Sequence, residues 1–168
     1  MIKECDFFNA GAISDVNSER ARNHAELYYE EIRHRMDDVE KIARNTGYSC
    51  EQILRVKSYL FLEKHILEDG GEPRFFDPCF EIAESWQRLA SDKSNIKQHD
   101  IILLEHEIME QMLILNEGMS QEQAHIKTNK KYNYTEASDE YYYKLSLKVS
   151  PREVNGGAIR RKLTHRTH

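Results

Sequence analysis

Residues that interrupt helices are scarce in this chain, which holds 7 glycines and 3 prolines in 168 residues. That scarcity argues against a turn-rich β fold. The long stretches between these residues are filled with Glu, Lys, Gln, Leu, Ile and Ala, which tolerate helix well, and their apolar positions recur every three or four residues. The expectation is an all-α fold: a compact single-domain bundle of about five to six helices. An N-terminal arm is expected over residues 1–17, a helical domain over 18–149 and a flexible basic tail over 150–168.

Local signals divide the helical domain. Asn17 or Ser18 caps a long first helix whose apolar positions are Ala21, Ala25, Tyr28, Ile32, Met36, Val39 and Ala43. Asn45-Thr46-Gly47 ends it, with glycine suited to the left-handed C-terminal position. Ser49-Cys50-Glu51-Gln52 reads as a capping box for a helix to about His65 that buries Ile53, Val56, Leu60 and Phe61. A loop over 66–76 follows, with a short extended piece at Arg74-Phe75-Phe76. Asp77-Pro78 then reads as an N-cap and first-turn proline, opening a helix with Phe80, Ile82, Ala83, Trp86 and Leu89 inward. A strong helix spans about 99–117, with Ile101, Leu104, Ile108, Met112 and Leu115 as its buried stripe. Ser120-Gln121-Glu122-Gln123 is a second capping box, for a helix to about Tyr132. A last helix over Glu136 to Leu147 carries Tyr141-Tyr142-Tyr143, three consecutive rings that cannot all be buried.

Charge and cysteine usage narrow the function classes. Net charge is −5. From Pro151 onward five Lys/Arg stand against Glu153, so the tail carries +4 and the rest of the chain −9. An acidic body does not suit a general nucleic-acid binder, whereas the basic tail suits RNA or an acidic protein. Cys5, Cys50 and Cys79 are widely spaced and form no CxxC pair, which argues against a disulfide framework or a cysteine-rich zinc knuckle. No apolar run approaches the roughly 18 residues of a membrane helix, and Met1-Ile2-Lys3-Glu4-Cys5-Asp6 lacks the pattern of a secretory signal. A cytoplasmic protein is therefore expected.

The helix at 99–117 carries the chemistry-bearing pattern, His106-Glu107-Ile108-Met109-Glu110. His106 and Glu110 are four apart and share one helix face. Helical zinc hydrolases use this layout: ligands at i and i+4 hold one metal, and a glutamate beside the first acts as general base on the attacking water. A mixed His/Glu set suits a divalent metal such as zinc or manganese. His125, one short turn away on the next helix, is the expected third ligand. Glu107 is the expected base, and Asp100 or His65 would orient the site. Two other readings stay open. His65, His106 and His125 with Glu107 would form a metal-free nuclease, or the helices would form a non-catalytic interaction module of a phage particle or regulatory assembly.

Several stretches between Ile42 and Leu145 carry a resemblance. They are Ile42-Ala43-Arg44-Asn45-Thr46-Gly47-Tyr48, Phe61-Leu62-Glu63-Lys64-His65, Phe76-Asp77-Pro78, Ala83-Glu84-Ser85-Trp86-Gln87-Arg88-Leu89, His99-Asp100, Leu104-Glu105-His106-Glu107-Ile108-Met109-Glu110, Ala124-His125 and Lys131-Tyr132-Asn133-Tyr134. Together they resemble a toxin-like domain of phages and mobile elements of Firmicutes. That domain often sits at the C-terminus of phage minor head (head-morphogenesis) proteins and in related polymorphic toxins. The resemblance implies an effector with an active site around His65, Asp100, His106, Glu107, Glu110 and His125, neutralised in its own cell by an immunity protein. It carries no reaction with it.

Overall fold

The computed structural model describes residues 15–66 and 70–149. The expectations for the first 14 residues and for the basic tail lie outside them. Ser18 opens helix α1 (Glu19–His34), where its hydroxyl accepts from the Ala21 N–H at 3.1 Å. The inward positions are Ala21, Ala25, Tyr29 and Ile32.

The long first helix of the sequence reading is broken. Its continuation is a separate helix, α2 (Asp38–Thr46), and Met36 lies in the connection, 91% exposed. The break has a cause. Asp38 is fully buried, accepting from Lys57 Nζ at 2.8 Å and from Trp86 Nε1 at 2.9 Å. Lys57 Nζ also donates to the Arg35 carbonyl at 2.6 Å, taking up a backbone acceptor that a continuous helix would have used itself. The inward register then resumes at Asp38 and Ile42. Gly47, with φ +85°, closes α2 by returning its N–H to the Ala43 carbonyl.

Helix α3 (Cys50–Lys57) begins with the expected Ser49/Gln52 capping box. It does not run on as a regular α-helix to His65. Residues Ser58–Leu62 form a π-helical turn, in which the Glu63 N–H reaches back five residues to the Ser58 carbonyl at 2.8 Å. The chain then extends, and His65 pairs with Arg74 through two backbone hydrogen bonds of 2.8 and 3.0 Å. Helix α4 (Phe80–Leu89) starts later than Asp77-Pro78 implied, with Cys79 at the N-cap, because the Asp77 carboxylate is bonded to Arg74 instead. Trp86 is fully buried on α4 and packs edge-on against Phe61.

Helices α5 (Gln98–Glu117), α6 (Gln121–Asn129) and α7 (Tyr134–Val149) complete an all-α fold, with seven α-helices among the described residues. Gly118 ends α5 in the left-handed region, and the Ser120/Gln123 box opens α6. Of the three consecutive tyrosines, Tyr142 is buried and Tyr143 exposed. Helix α5 is the central strut, packed against α3, α4, α6 and α7.

The buried face of α5 follows the apolar stripe read from the sequence only in part: Leu104 is buried and Ile101 and Ile108 pack against the core. Met112 and Leu115 are 55% and 68% exposed. The inward set is His99, Asp100, Leu103, Leu104, His106, Glu107, Glu110 and Leu113. Neighbouring elements supply partners for most of these polar groups, which makes their burial tolerable.

Removing Asp38 leaves a buried ammonium and a buried indole N–H without their acceptor, so Asp38→Ala should cost about 3–5 kcal/mol. Denaturant titration checks this, with Met36→Ser as a surface control that should stay within about 0.5 kcal/mol of the parent.

Candidate metal centre

Four helix side chains and one connecting carbonyl build the site. Helix α5 presents His106, Glu107 and Glu110 on its buried side, and α6 presents His125. The connection before α7 supplies the Tyr132 carbonyl, which accepts from His106 Nδ1 at 2.8 Å. That bond commits the Nδ1 proton, so the neutral His106 ring has a bare lone pair on Nε2. Nε2 lies 3.1 Å from Glu110 Oε2, and the same oxygen lies 2.9 Å from His125 Nδ1. The short turn after α5 folds α6 back onto it, which is how a residue 15 positions beyond Glu110 reaches it.

One donor atom from each of His106, Glu110 and His125 lies within 4.8 Å of the others. A tetrahedral ion holds its nitrogen and oxygen ligands about 3.3 Å apart, so this group could hold a metal ion with small side-chain adjustments. The His106–carbonyl bond is the kind of outer support that orients a ligating imidazole. On His125 the amide of Asn129 lies 2.8 Å from Nε2 and restrains the ring.

The electrostatics are mutual. Burial alone would lower the pKa of His106. The Glu110 hydrogen bond, the Tyr132 carbonyl and the charges of Glu107 and Glu110 together outweigh it and raise the imidazolium above its ordinary value. Burial would raise Glu110, but hydrogen bonds from His106 and His125 and their charges bring it below the usual carboxylate value. For Glu107 the compensation is incomplete. Burial, with the Glu110 charge adding and His106 opposing, pushes its carboxyl up to about 7. Its Oε2 is buried with no hydrogen-bond partner.

His106, Glu107, Glu110 and His125 share one cavity of about 360 Å³. Its other walls include Tyr29, Tyr59, Phe76, Ile82 and Gln121. The His125 side chain is 52% exposed while those of His106 and Glu110 are about 7% and 6%, so the group is reached from the His125 side. Tyr59 comes from the π-helical turn, and Gln121 Nε2 donates to its phenol oxygen at 2.6 Å. Burial and the charges of Glu110 and Glu107 raise the phenol pKa, keeping it protonated.

His65 and Asp100 lie elsewhere. His65 Nε2 donates to the Tyr59 carbonyl at 2.8 Å, and the ring stacks on Phe76 at 4.4 Å. It therefore props two cavity walls without lining the cavity. Asp100 is fully buried near the start of α5, accepting from Arg88 Nε at 2.9 Å and Nη2 at 2.6 Å, and capping the Lys97 N–H at 2.8 Å. His99 joins that cluster, taking a 2.8 Å hydrogen bond from Arg88 Nη2. Cys79, half-buried on the α4 side, has its thiol pushed up to about 12 by burial and the neighbouring Glu81, which makes it a poor nucleophile.

Sequence reasoning did not find Tyr59 or Gln121. A regular helix gave no reason to aim Tyr59 at α5, and Gln121 was visible only as part of a capping box. The usable signal was spacing: Gln121 and His125 are four apart, on one face of α6.

The Arg88–Asp100–His99 cluster makes stability depend on pH. Burial, with the Arg88 and Lys97 charges adding and Asp100 opposing, lowers folded His99 from 6.5 to about 4. Between those values the unfolded chain binds a proton that the folded chain does not, so stability falls as pH drops through this window and is unaffected above it. His99→Gln should remove this component, recovering about 1–2 kcal/mol of the loss between pH 7 and pH 5. Parallel denaturant titrations at the two pH values measure it.

In comparisons with known proteins, no protein-family model, no curated protein and no solved structure matches this chain.

Proposed function

We propose that this chain is a metal-dependent hydrolase acting as a toxin-like effector. His106, Glu110 and His125 hold one divalent ion, zinc or manganese, and Glu107 is the general base. The single observation behind this reading is the arrangement of His106. Its Nδ1 proton is committed to the Tyr132 carbonyl, so Nε2 is the atom left to ligate, and it lies 3.1 Å from Glu110 Oε2, with His125 on the same oxygen. A shared cation would take the place of the protons between them and ligate all three.

Bound there, the ion would polarise a substrate oxygen and make water acidic enough to attack near neutral pH. The protein's own groups do the rest. Glu107 sits one residue from His106 in the same cavity with a carboxylate oxygen free to accept a proton. The apolar and aromatic walls exclude bulk water and strengthen each electrostatic contact. The effector part of the reading rests on the resemblance to phage and mobile-element toxin domains. It brings with it a cytoplasmic site of action and a neutralising partner protein in the producing cell.

A metal-free reading has one observation in its favour. The raised pKa of His106 lets an imidazolium pair with Glu110 without any ion. Elemental analysis separates the two.

Purified protein equilibrated with zinc or manganese should carry about one ion per chain. His106→Ala and His125→Ala should each weaken binding about 10-fold or more. Glu107→Gln should keep the ion while lowering turnover by about 10²-fold or more, read as relief of growth arrest when the chain is expressed in bacteria. An ion-free wild type, or growth arrest unchanged in Glu107→Gln, overturns the proposal.

A further inference from the structure

The π-helical turn at Ser58–Leu62 has a consequence for the cavity. A π turn widens the helix and rotates the residues it contains, and such turns are frequent at functional sites. Here it places Tyr59 in the wall of the cavity that the α5 residues also line. Two further contacts fix the phenol. The backbone of Tyr59 is held from behind by His65, whose ring lies edge-on to the tyrosine ring at 4.7 Å. The phenol oxygen accepts from Gln121 Nε2 at 2.6 Å.

That second bond decides what the hydroxyl can do. Its oxygen serves as acceptor for Gln121, so its proton must be donated elsewhere, and no other acceptor bond to it is formed among the described residues. Gln121 and His125 lie one turn apart on the same face of α6, and the charges of Glu110 and Glu107 act on the Tyr59 phenol. A protonated donor thus lines the same cavity as the proposed ion ligands and Glu107.

The wall chemistry also limits the occupant. Carboxylates of Asp77, Glu107 and Glu110 line the cavity, with no Lys or Arg among the described lining residues. Enzymes acting on phosphoryl groups use cationic clamps to balance their charge. A neutral carbonyl group meets no like-charge repulsion from these carboxylates, whereas a phosphodiester does.

We infer that the substrate is an amide or ester, and that Tyr59 is a catalytic hydrogen-bond donor to its carbonyl oxygen. This rests on the metal-dependent reading above. In the reaction, a water oxygen bonds to the carbonyl carbon while one of its protons passes to Glu107. The carbonyl π electrons move onto oxygen, where the Tyr59 O–H stabilises the negative charge. The C=O bond then re-forms, the bond to the leaving nitrogen or oxygen breaks, and Glu107 returns the proton to the leaving group. Water and amide give carboxylic acid and amine, with no redox change.

The test uses full-length protein loaded with cobalt(II), whose visible absorption reports the ligands. Acetohydroxamate is the probe, because it presents a carbonyl oxygen beside a metal-ligating group. Cobalt should bind wild type and Tyr59→Phe equally, and acetohydroxamate should bind Tyr59→Phe about tenfold more weakly, the loss of roughly one charge-assisted hydrogen bond. Inorganic phosphate should not displace acetohydroxamate at concentrations up to 100 times the probe's Kd. Equal acetohydroxamate affinity in the two proteins overturns the role of Tyr59, as does loss of cobalt from Tyr59→Phe. Displacement by phosphate overturns the carbonyl substrate class. Failure of cobalt to bind wild type overturns the metal reading itself, and this inference with it.

Discussion

A carboxylate with no exposure to water, Asp38, fixes the geometry on which the other elements rest. It cannot stay ionised inside the protein without partners, and its partners come from two other helices: Lys57 at the end of α3 and Trp86 on α4. Each connection leads to the cavity. Lys57 immediately precedes the π turn that carries Tyr59. Trp86 packs on Phe61, and Phe61 packs on Tyr29, which forms part of the cavity wall. A buried ion pair of this sort adds little net energy compared with a well-packed apolar substitute. Its contribution here is geometric, because one carboxylate ties α2, α3 and α4 together.

Helix α5 shows how the same protein treats buried charge in two ways. Near its start, Asp100 is matched by Arg88 and the Lys97 N–H. Every oxygen there has a partner, and the cluster welds α4 to α5. Two turns later, His106, Glu110 and His125 satisfy one another around a single oxygen, and Glu107, which lines the same cavity, is left with a buried unpaired oxygen. Unsatisfied buried polar atoms are rare and costly in folded proteins. A site that departs from full satisfaction beside an accessible cavity is where a ligand would return the missing interactions.

Much of the fold was legible from short-range signals. Ser18, Ser49 and Ser120 cap where their hydroxyls and the following residues said they would, and Gly47 and Gly118 close helices in the left-handed region. Those signals act within four residues, so sequence alone carries them. The break at Met36 was illegible because its cause, the Lys57 ammonium, lies 19 residues beyond Asp38. The inward face of α5 was read only in part, for a related reason. Apolar spacing marks a stripe, but Arg88 and the Tyr132 carbonyl made the charged side equally buriable.

The sequence by itself determined an all-α chain, most helix ends and the placement of His106 and Glu110 on one face, because helix periodicity and capping are local. It also pointed to His125, since a turn of a few residues forces α6 to fold back along α5. The tertiary structure alone decided that Asp100 belongs to a separate ion pair, that His65 props the walls, and that Tyr59 enters the cavity. Each of these depends on packing and hydrogen bonds between residues distant in the chain, and no local pattern encodes which of several buried partners a polar side chain will meet.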